Sequence, residues 1–268
     1  MKAVFHRLYS DFFLPQRSAD YRAILSKAVE ENYKHYTLPE YFALLKNGNS
    51  QGDNQRIFIH RHDIDTDSKT ALLFYEAEKE YQIKASYYFR LSTLDKEIMQ
   101  RLHHDGFEVG YHFEEIADYC KKHHIFSTTE LNKHFSAIRD LFKTQLQHVE
   151  KTAGFKIRSI ASHGDFVNRK LKTPNYAFIT EELLRECGLE FECYNPLLTK
   201  SFTTMCSDAP YPHFYRGTSP LEAISAGHKR IHFLSHPRHW KSAPWINLKD
   251  NFNRAKEEIP FLLQRNKN

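Results

Sequence analysis

Histidines follow four separate apolar stretches of the chain, each at the point where a β-strand would end. The four segments that carry them are His60–Asp67, Gly110–Glu115, Ala161–Asp165 and Ser235–Trp240. Imidazole is the commonest metal ligand in proteins and the side chain that titrates near neutral pH. A single histidine after a strand usually has a structural role, but four at successive strand ends indicate a shared metal or acid–base site.

Two carboxylates stand two residues apart in the first of these segments, Asp63-Ile64-Asp65. Residues two apart in an extended chain point the same way, so both carboxylates are predicted to face one cavity. Adjacent carboxylates repel each other unless a cation lies between them. A divalent ion bound by one of them would leave the other free to act as a base. A helix-capping cluster is the alternative, and we assign that role to Asp67 alone.

Strand-like and helix-like segments alternate along the chain, which is typical of a parallel sheet covered by helices. The predicted strands are residues 56–62, 85–90, 107–111, 157–161, 189–194 and 230–235. With 268 residues, the sequence favours one α/β domain, a closed or distorted (β/α) barrel spanning 1–268, over an open doubly wound sheet. A helical N-terminal segment, about 18–47, is expected to pack on this barrel. Barrel active sites lie at the carboxyl ends of the strands, where the four histidines fall.

The composition excludes several classes of protein. Hydrophobic residues make up 41% and charged residues 26%, which excludes disorder and coiled coil as descriptions of the whole chain. The net charge is +5, from 38 Lys and Arg against 33 Asp and Glu. That excess is too small to indicate nucleic-acid binding but suits an anionic small substrate. No apolar stretch is long enough for a signal-peptide core or a membrane span, so we expect a cytoplasmic location.

Four short segments resemble the NodB-homology polysaccharide deacetylases. They are Arg61–Asp65, Ala85–Phe89, Gly106–His112 and Leu234–Pro237, and the likeness extends over roughly residues 57 to 240. The resemblance implies a distorted (β/α) barrel and the metal-dependent hydrolysis of N-acetyl or O-acetyl groups on sugars. It is nearest to the divergent deacetylase-like enzymes of bacterial surface-polysaccharide synthesis, which modify the sugar inside the cell.

The resemblance also implies roles for individual residues. Asp65 and His112 would bind a divalent metal, Asp63 would act as the catalytic base, and His236 would protonate the leaving amine. Zinc suits such ligands, with cobalt, nickel or iron as alternatives. The substrate would be a small molecule or oligosaccharide bearing an N-acetyl or N-formyl group on an amino sugar. The residues predicted to contact it are Arg61, Tyr111, Glu114, Arg238 and Trp240.

Two departures from the family pattern concern the metal. Ile116 stands where the family has its second histidine, and Ser162–Asp165 replaces an Arg-x-Pro segment. We predict that His163 supplies the missing ligand, aimed inward by a sharp turn at Gly164. Glu114 or Glu115 is the competing ligand, and a decayed metal site is the third possibility.

Two other functions remain open at this stage. His60-x-His62 after the first strand is similar to the metal-binding pair of amidohydrolases and of histidinol-phosphatase-like phosphoesterases. Those enzymes also need a late strand that ends in Asp, and the sequence gives no clear sign of one. The second is a carbohydrate-binding module that has kept the barrel and lost its chemistry.

Overall fold

Apolar runs form a nine-stranded sheet in the computed structural model, which describes residues 2–48 and 55–265. The predicted loop over 49–54 lies outside the described residues. The strands are β1 (Lys34–His35), β2 (Ile57–Ile64), β3 (Ser86–Phe89), β4 (Glu108–Phe113), β5 (Ser159–Ser162), β6 (Phe191–Glu192), β7 (Thr204–Asp208), β8 (Tyr215–Arg216) and β9 (Arg230–Ser235). Every residue of β2 to β5 is buried, as expected for parallel strands with both faces covered.

Helices precede, connect and follow the strands, and most of them cover the outer face of the sheet. They are α1 (Lys2–Phe12), α2 (Ser18–Glu30), α3 (Leu38–Lys46), α4 (Ser68–Glu80), α5 (Lys96–His104), α6 (Glu115–His123), α7 (Thr128–Asn132), α8 (Phe135–Ala153), α9 (Phe166–Leu171), α10 (Glu181–Cys187), α11 (Pro196–Thr199), α12 (Pro220–Ser225) and α13 (Pro244–Arg265). Asp67 caps α4 by accepting a hydrogen bond from the Lys69 backbone N–H, which confirms the predicted cap. No described helix combines the length and the apolarity needed to cross a bilayer.

The strand order explains why the loops gather at one edge. The order is β6-β5-β4-β3-β2-β9-β7-β8, with β1 beside the first residues of β2, and every pair is parallel except β7 with β8. Parallel strands carry their carboxyl ends to the same edge, so the loops that follow β2, β4, β5 and β9 meet there. No described strand joins β6 to β8, and we call this gap the seam. The fold is the predicted α/β type, a distorted and incomplete barrel.

Successive side chains of β2 lie on opposite faces of the sheet, and the two faces have different neighbours. Ile57 and Ile59 pack inside the barrel with α3, whereas Phe58 and Ile64 pack outside against the helices. Side chains alternate between the two faces of a strand. Arg61 and Asp63 therefore share the inner face of β2 with the two isoleucines.

Candidate metal centre and active site

Two imidazole nitrogens and one carboxylate oxygen, from three different strand ends, converge at the mouth of the barrel. Asp65 follows β2, His112 lies in β4 and His163 follows β5. Asp65 Oδ1 lies 3.2 Å from His112 Nε2 and 3.1 Å from His163 Nδ1, and the two imidazole nitrogens are 3.1 Å apart. Both histidines are buried. The predicted ligands therefore form one compact triangle.

The hydrogen bonding of this triangle fits a divalent metal. His112 donates from Nδ1 to the Ala161 carbonyl at 3.0 Å, and its Nε2 faces the other two atoms, as in a metal-binding histidine. Among residues 2–48 and 55–265, no donor makes a well-directed hydrogen bond to the buried Oδ1 of Asp65, although two imidazole nitrogens lie beside it. Donor atoms that share one zinc ion at about 2.0–2.2 Å lie roughly 3.0–3.5 Å apart. The three sides of the triangle fall within that range.

The charge of Asp65 also suits a metal ligand. Burial acts to raise the pKa of its carboxyl, but the adjacent imidazoles of His163 and His112 outweigh burial and hold it well below its usual range. The carboxylate is therefore ionised at neutral pH.

His163 is held in place by its backbone. Its N–H donates to the Phe113 carbonyl at 2.8 Å, and its carbonyl accepts from the buried Asn175 side chain at 2.5 Å. Gly164 does not supply the predicted turn, because it has no positive φ and an added Cβ would meet nothing within 4 Å. The backbone hydrogen bonds of His163 with Phe113 and Asn175 orient the imidazole instead.

Asp63 lies beside the triangle but is engaged by a different partner. Arg61 donates to both of its oxygens, at 2.8 and 2.7 Å, and Asp63 Oδ2 lies 3.5 Å from His112 Nε2. Burial acts to raise the pKa of the Asp63 carboxyl, and the Arg61 guanidinium, together with His112 and His236, more than offsets this and lowers it. Asp63 is thus an ionised, rigidly held carboxylate on the cavity wall.

His236 is paired with a carboxylate that sequence analysis missed. Asp208, at the end of β7, accepts from His236 Nδ1 at 2.7 Å and from the His236 backbone N–H at 2.7 Å. Trp240 Nε1 donates to the same carboxylate at 2.8 Å. Burial alone would lower the pKa of His236, but Asp208 raises it to about 9. The imidazole therefore carries a proton that it can donate at neutral pH.

Asp63, Asp65, His112, His163 and His236 all line one cavity of about 400 Å³. His112 and His163 come from the β6 side of the seam, and His236 comes from the β8 side. A base and an acid with opposite charge states therefore border one triangle of potential metal ligands.

Three residues predicted to bind substrate do not reach this cavity. Tyr111 and Trp240 are fully buried, and Tyr111 donates its hydroxyl to Glu115 at 2.8 Å. Arg61 is buried beneath Asp63, with its guanidinium 5.5 Å and 5.3 Å from the ring centroids of Tyr88 and Tyr194. These are corrections: Arg61 and Trp240 orient the carboxylates of Asp63 and Asp208, and Tyr111 packs outside the sheet.

The other two predicted substrate residues are bound by opposite charges. Glu114 accepts from both ends of the Arg90 guanidinium, at 2.9 and 2.6 Å, so its oxygens are already engaged. Arg238 borders the cavity but donates to Asp11 at 2.7 Å and to Asp250 at 2.5 Å. Neither charge is free to meet a ligand.

The pair His60-x-His62 faces away from the cavity. His60 contacts the Tyr21 hydroxyl at 3.2 Å, and His62 contacts Ser235 at 2.6 Å and Glu78 at 2.7 Å. Both histidines are fully buried on the outer face of β2. The late strand ending in Asp does exist, as β7, but the amidohydrolase-type interpretation fails because its two histidines cannot reach the site.

Comparisons with known proteins give little at the level of sequence. No protein-family model and no curated protein matches the chain. The solved structures that resemble it include BA3943, a CE4 family pseudoenzyme from Bacillus anthracis, at 14% identity, and a mutant of BA3943 with restored enzymatic activity, at 13%. Both have a TM-score of 0.41; the similarity covers 76% and 75% of this chain and 62% and 64% of the respective structures. The chain therefore spans less than two thirds of either, and its chemistry has to be argued from its own side chains.

Proposed function

We propose that the protein is a metal-dependent hydrolase that removes an acetyl or formyl group from the nitrogen of an amino sugar or sugar precursor. The observation that carries this proposal is the triangle of Asp65, His112 and His163, with Asp63 on one side and His236 lining the same cavity. One carboxylate and two imidazoles leave a coordination position open, which is typical of catalytic metal sites.

The side chains supply the proton transfers of amide hydrolysis. A divalent metal, zinc or alternatively cobalt, nickel or iron, would polarise the amide carbonyl and lower the pKa of water. Asp63, kept ionised and oriented by Arg61, accepts the proton of the attacking water. His236, kept protonated by Asp208, donates a proton to the nitrogen of the leaving amine. The opposite charge states of these two groups are what a base and an acid require at neutral pH.

The resemblance of the four segments supports the finer parts of the proposal. We propose accordingly that the protein is a NodB-type deacetylase with one domain over 1–268. Its location would be cytoplasmic and its role would be in bacterial surface-polysaccharide synthesis. The sugar would then be modified before it is exported.

The decisive experiment measures free amine released from N-acetyl and N-formyl amino sugars. The full chain is stripped with a chelator and reloaded in parallel with zinc, cobalt, nickel or iron. We expect release with at least one metal and loss of release on stripping. Metal binding with no hydrolysis of any sugar would contradict the enzyme and favour the non-catalytic carbohydrate-binding module.

His163 can be tested with a matched control on the same protein. His163→Gln is expected to lower metal content at least about tenfold, since one of three ligands is lost. His148 is exposed on α8, so His148→Gln should retain the metal. Full metal occupancy in both variants would exclude His163 as a ligand and leave water to complete the shell.

A further inference from the structure

The rim of the cavity carries more positive than negative charge. The arginines that line it are Arg7, Arg169, Arg216, Arg238 and Arg254. The carboxylates that line it are Asp63 and Asp65. Asp63 is already neutralised by Arg61, and Asp65 belongs to the metal triangle. The cavity therefore presents a net positive potential to an entering ligand.

Three of the five arginines are engaged by carboxylates. Arg238 binds Asp11 and Asp250, Arg7 binds Asp11 at 2.8 Å, and Arg254 binds Asp250 at 3.0 Å. These pairs stabilise the packing of α1 against α13 and leave little charge uncompensated.

Arg169 and Arg216 differ from the other three. Both side chains are exposed, and within residues 2–48 and 55–265 neither has a carboxylate within 4.0 Å or a hydrogen-bond partner. Two guanidinium groups without counter-ions on one cavity have no role in the packing described above. Their charge is available to a ligand.

Their position relates them to the reacting groups. Arg169 lies on α9, just beyond His163, and Arg216 lies on β8, so they line the cavity from opposite sides of the seam. Tyr194, which follows β6, lines the same cavity and is 39% exposed. Its ring stacks on Tyr176 with centroids 5.3 Å apart, which fixes its orientation. A partly exposed aromatic ring thus lines the same cavity as the two arginines.

We propose that the substrate is an acylated amino sugar that carries a phosphoryl group. Arg169 and Arg216 bind the phosphoryl oxygens, and Tyr194 contacts the sugar ring. The guanidinium fork pairs with phosphate through two parallel hydrogen bonds, whereas a neutral sugar offers no group that needs two arginines. This inference rests on the proposed hydrolase and adds the chemical class of its substrate.

Calorimetry on the metal-stripped full chain tests this without hydrolysis and without phosphate binding to the metal. The ligands are N-acetylglucosamine, its 1-phosphate and its uridine diphosphate ester. We expect both phosphorylated sugars to bind at least about tenfold more tightly than the neutral sugar, a preference that falls as salt rises. A preference for the diphosphate ester over the monophosphate would identify a nucleotide-linked substrate, and equal affinity would identify the phosphoryl group alone.

Variants separate the arginines from the general charge of the protein. Arg169→Gln and Arg216→Gln should each weaken the 1-phosphate about five- to tenfold and leave the neutral sugar unchanged. Arg185 on α10 is an exposed arginine away from the cavity, and Arg185→Gln should change neither affinity. Equal binding of charged and neutral sugars, or an unchanged ratio in both cavity variants, would overturn the inference.

The two proposals can fail separately. Metal-dependent release of amine from neutral sugars, with no phosphate preference, would leave the hydrolase standing and remove its phosphorylated substrate. Arginine-dependent binding of phosphorylated sugars, with no hydrolysis by any metal, would support the binding site and reject the hydrolase.

Discussion

The two-residue repeat of a strand places a base beside its own counter-ion. Arg61 and Asp63 share the inner face of β2, and the guanidinium binds both carboxylate oxygens at 2.8 and 2.7 Å. Asp65 follows the end of the strand and turns instead toward His112 and His163. Two carboxylates two residues apart thus have different partners, which gives them different expected roles.

Substitutions at these two positions should therefore differ in effect. Asp65→Ala removes a ligand and is expected to lower metal content at least about tenfold. Asp63→Asn should retain the metal and lower kcat about 10²- to 10⁴-fold, since only the base is lost. Metal analysis and turnover on the same preparations check both. Equal loss of metal in the two variants would show that both carboxylates hold the metal and that the assignment of ligand and base is wrong.

The pair of Asp208 and His236 makes a prediction about pH. Burial acts to lower the pKa of His236 and Asp208 raises it to about 9, so the acid should lose its proton only as pH rises through about 9. In Asp208→Asn burial still lowers the pKa of His236 and only the more weakly coupled Asp65 and Asp63 still raise it, so the pKa should fall from about 9. The alkaline limb of kcat/KM is then expected to move to lower pH. An alkaline limb that does not move would show that His236 is not the acid.

At the scale of elements, the sequence predicted those strands and helices whose pattern is local. The predicted strand 230–235 matches β9. The amphipathic spacing of residues 128–152 predicts one helix, but the structure has two, α7 and α8, because the backbone leaves the helical region at His134. The sequence does not predict β7 because its apolar Met205 is exposed and its polar Asp208 is buried, so no apolar run marks the strand. Asp208 was missed with it.

A buried polar cluster joins several of these elements on the outer face of the sheet. Glu78 of α4 accepts from the Tyr21 hydroxyl of α2 at 2.6 Å, from the Tyr87 hydroxyl of β3, and contacts His62 of β2 at 2.7 Å. All four side chains are fully buried. Removing the carboxylate would leave three buried polar groups without a partner.

Glu78→Ala is therefore expected to lower the free energy of unfolding by about 3–5 kcal/mol. Glu76 stands on the same helix and forms an exposed ion pair with Arg101, so Glu76→Ala should cost less than about 1 kcal/mol. Urea unfolding of both variants measures the difference. Similar losses in the two would mean that the cluster does not stabilise the fold.

At the scale of the whole molecule, the residues at the strand ends could be predicted from the parallel sheet, whereas the residues on the rim near the seam could not. Because parallel strands end at one edge, residues at four strand ends could be assigned to one mouth before any distance was known. The rim is different: Arg169 and Arg216 come from segments far apart in the chain, and no local pattern distinguishes them from ordinary surface arginines. Only the curvature of the sheet brings them to one cavity.

The distribution of buried titratable groups makes stability depend on pH across the molecule. Burial raises the pKa of Glu115 to about 8 and those of Glu108 and Glu192 to about 7. A carboxyl with a raised pKa holds its proton in the folded state, so its contribution is complete below its ordinary pKa and is lost as pH rises through the folded value. Burial lowers the pKa values of His35 and His232 to about 4 and 3. These two histidines make stability rise with pH, but only below pH 6.5, where the unfolded chain binds protons that the folded chain does not.

The interval from pH 6.5 to 8 therefore isolates the carboxyls and His236, and stability should fall across it. Glu115, with a pKa of about 8, accounts for about 1.5 kcal/mol of that fall. Glu115→Gln cannot ionise, so its free energy of unfolding should decline by that much less over the same interval. Glu182 is exposed on α10, and Glu182→Gln should keep the slope of the parent chain. Urea unfolding of the metal-free proteins at the two pH values checks this, and parallel slopes for Glu115→Gln and the parent would show that Glu115 is already ionised at pH 6.5.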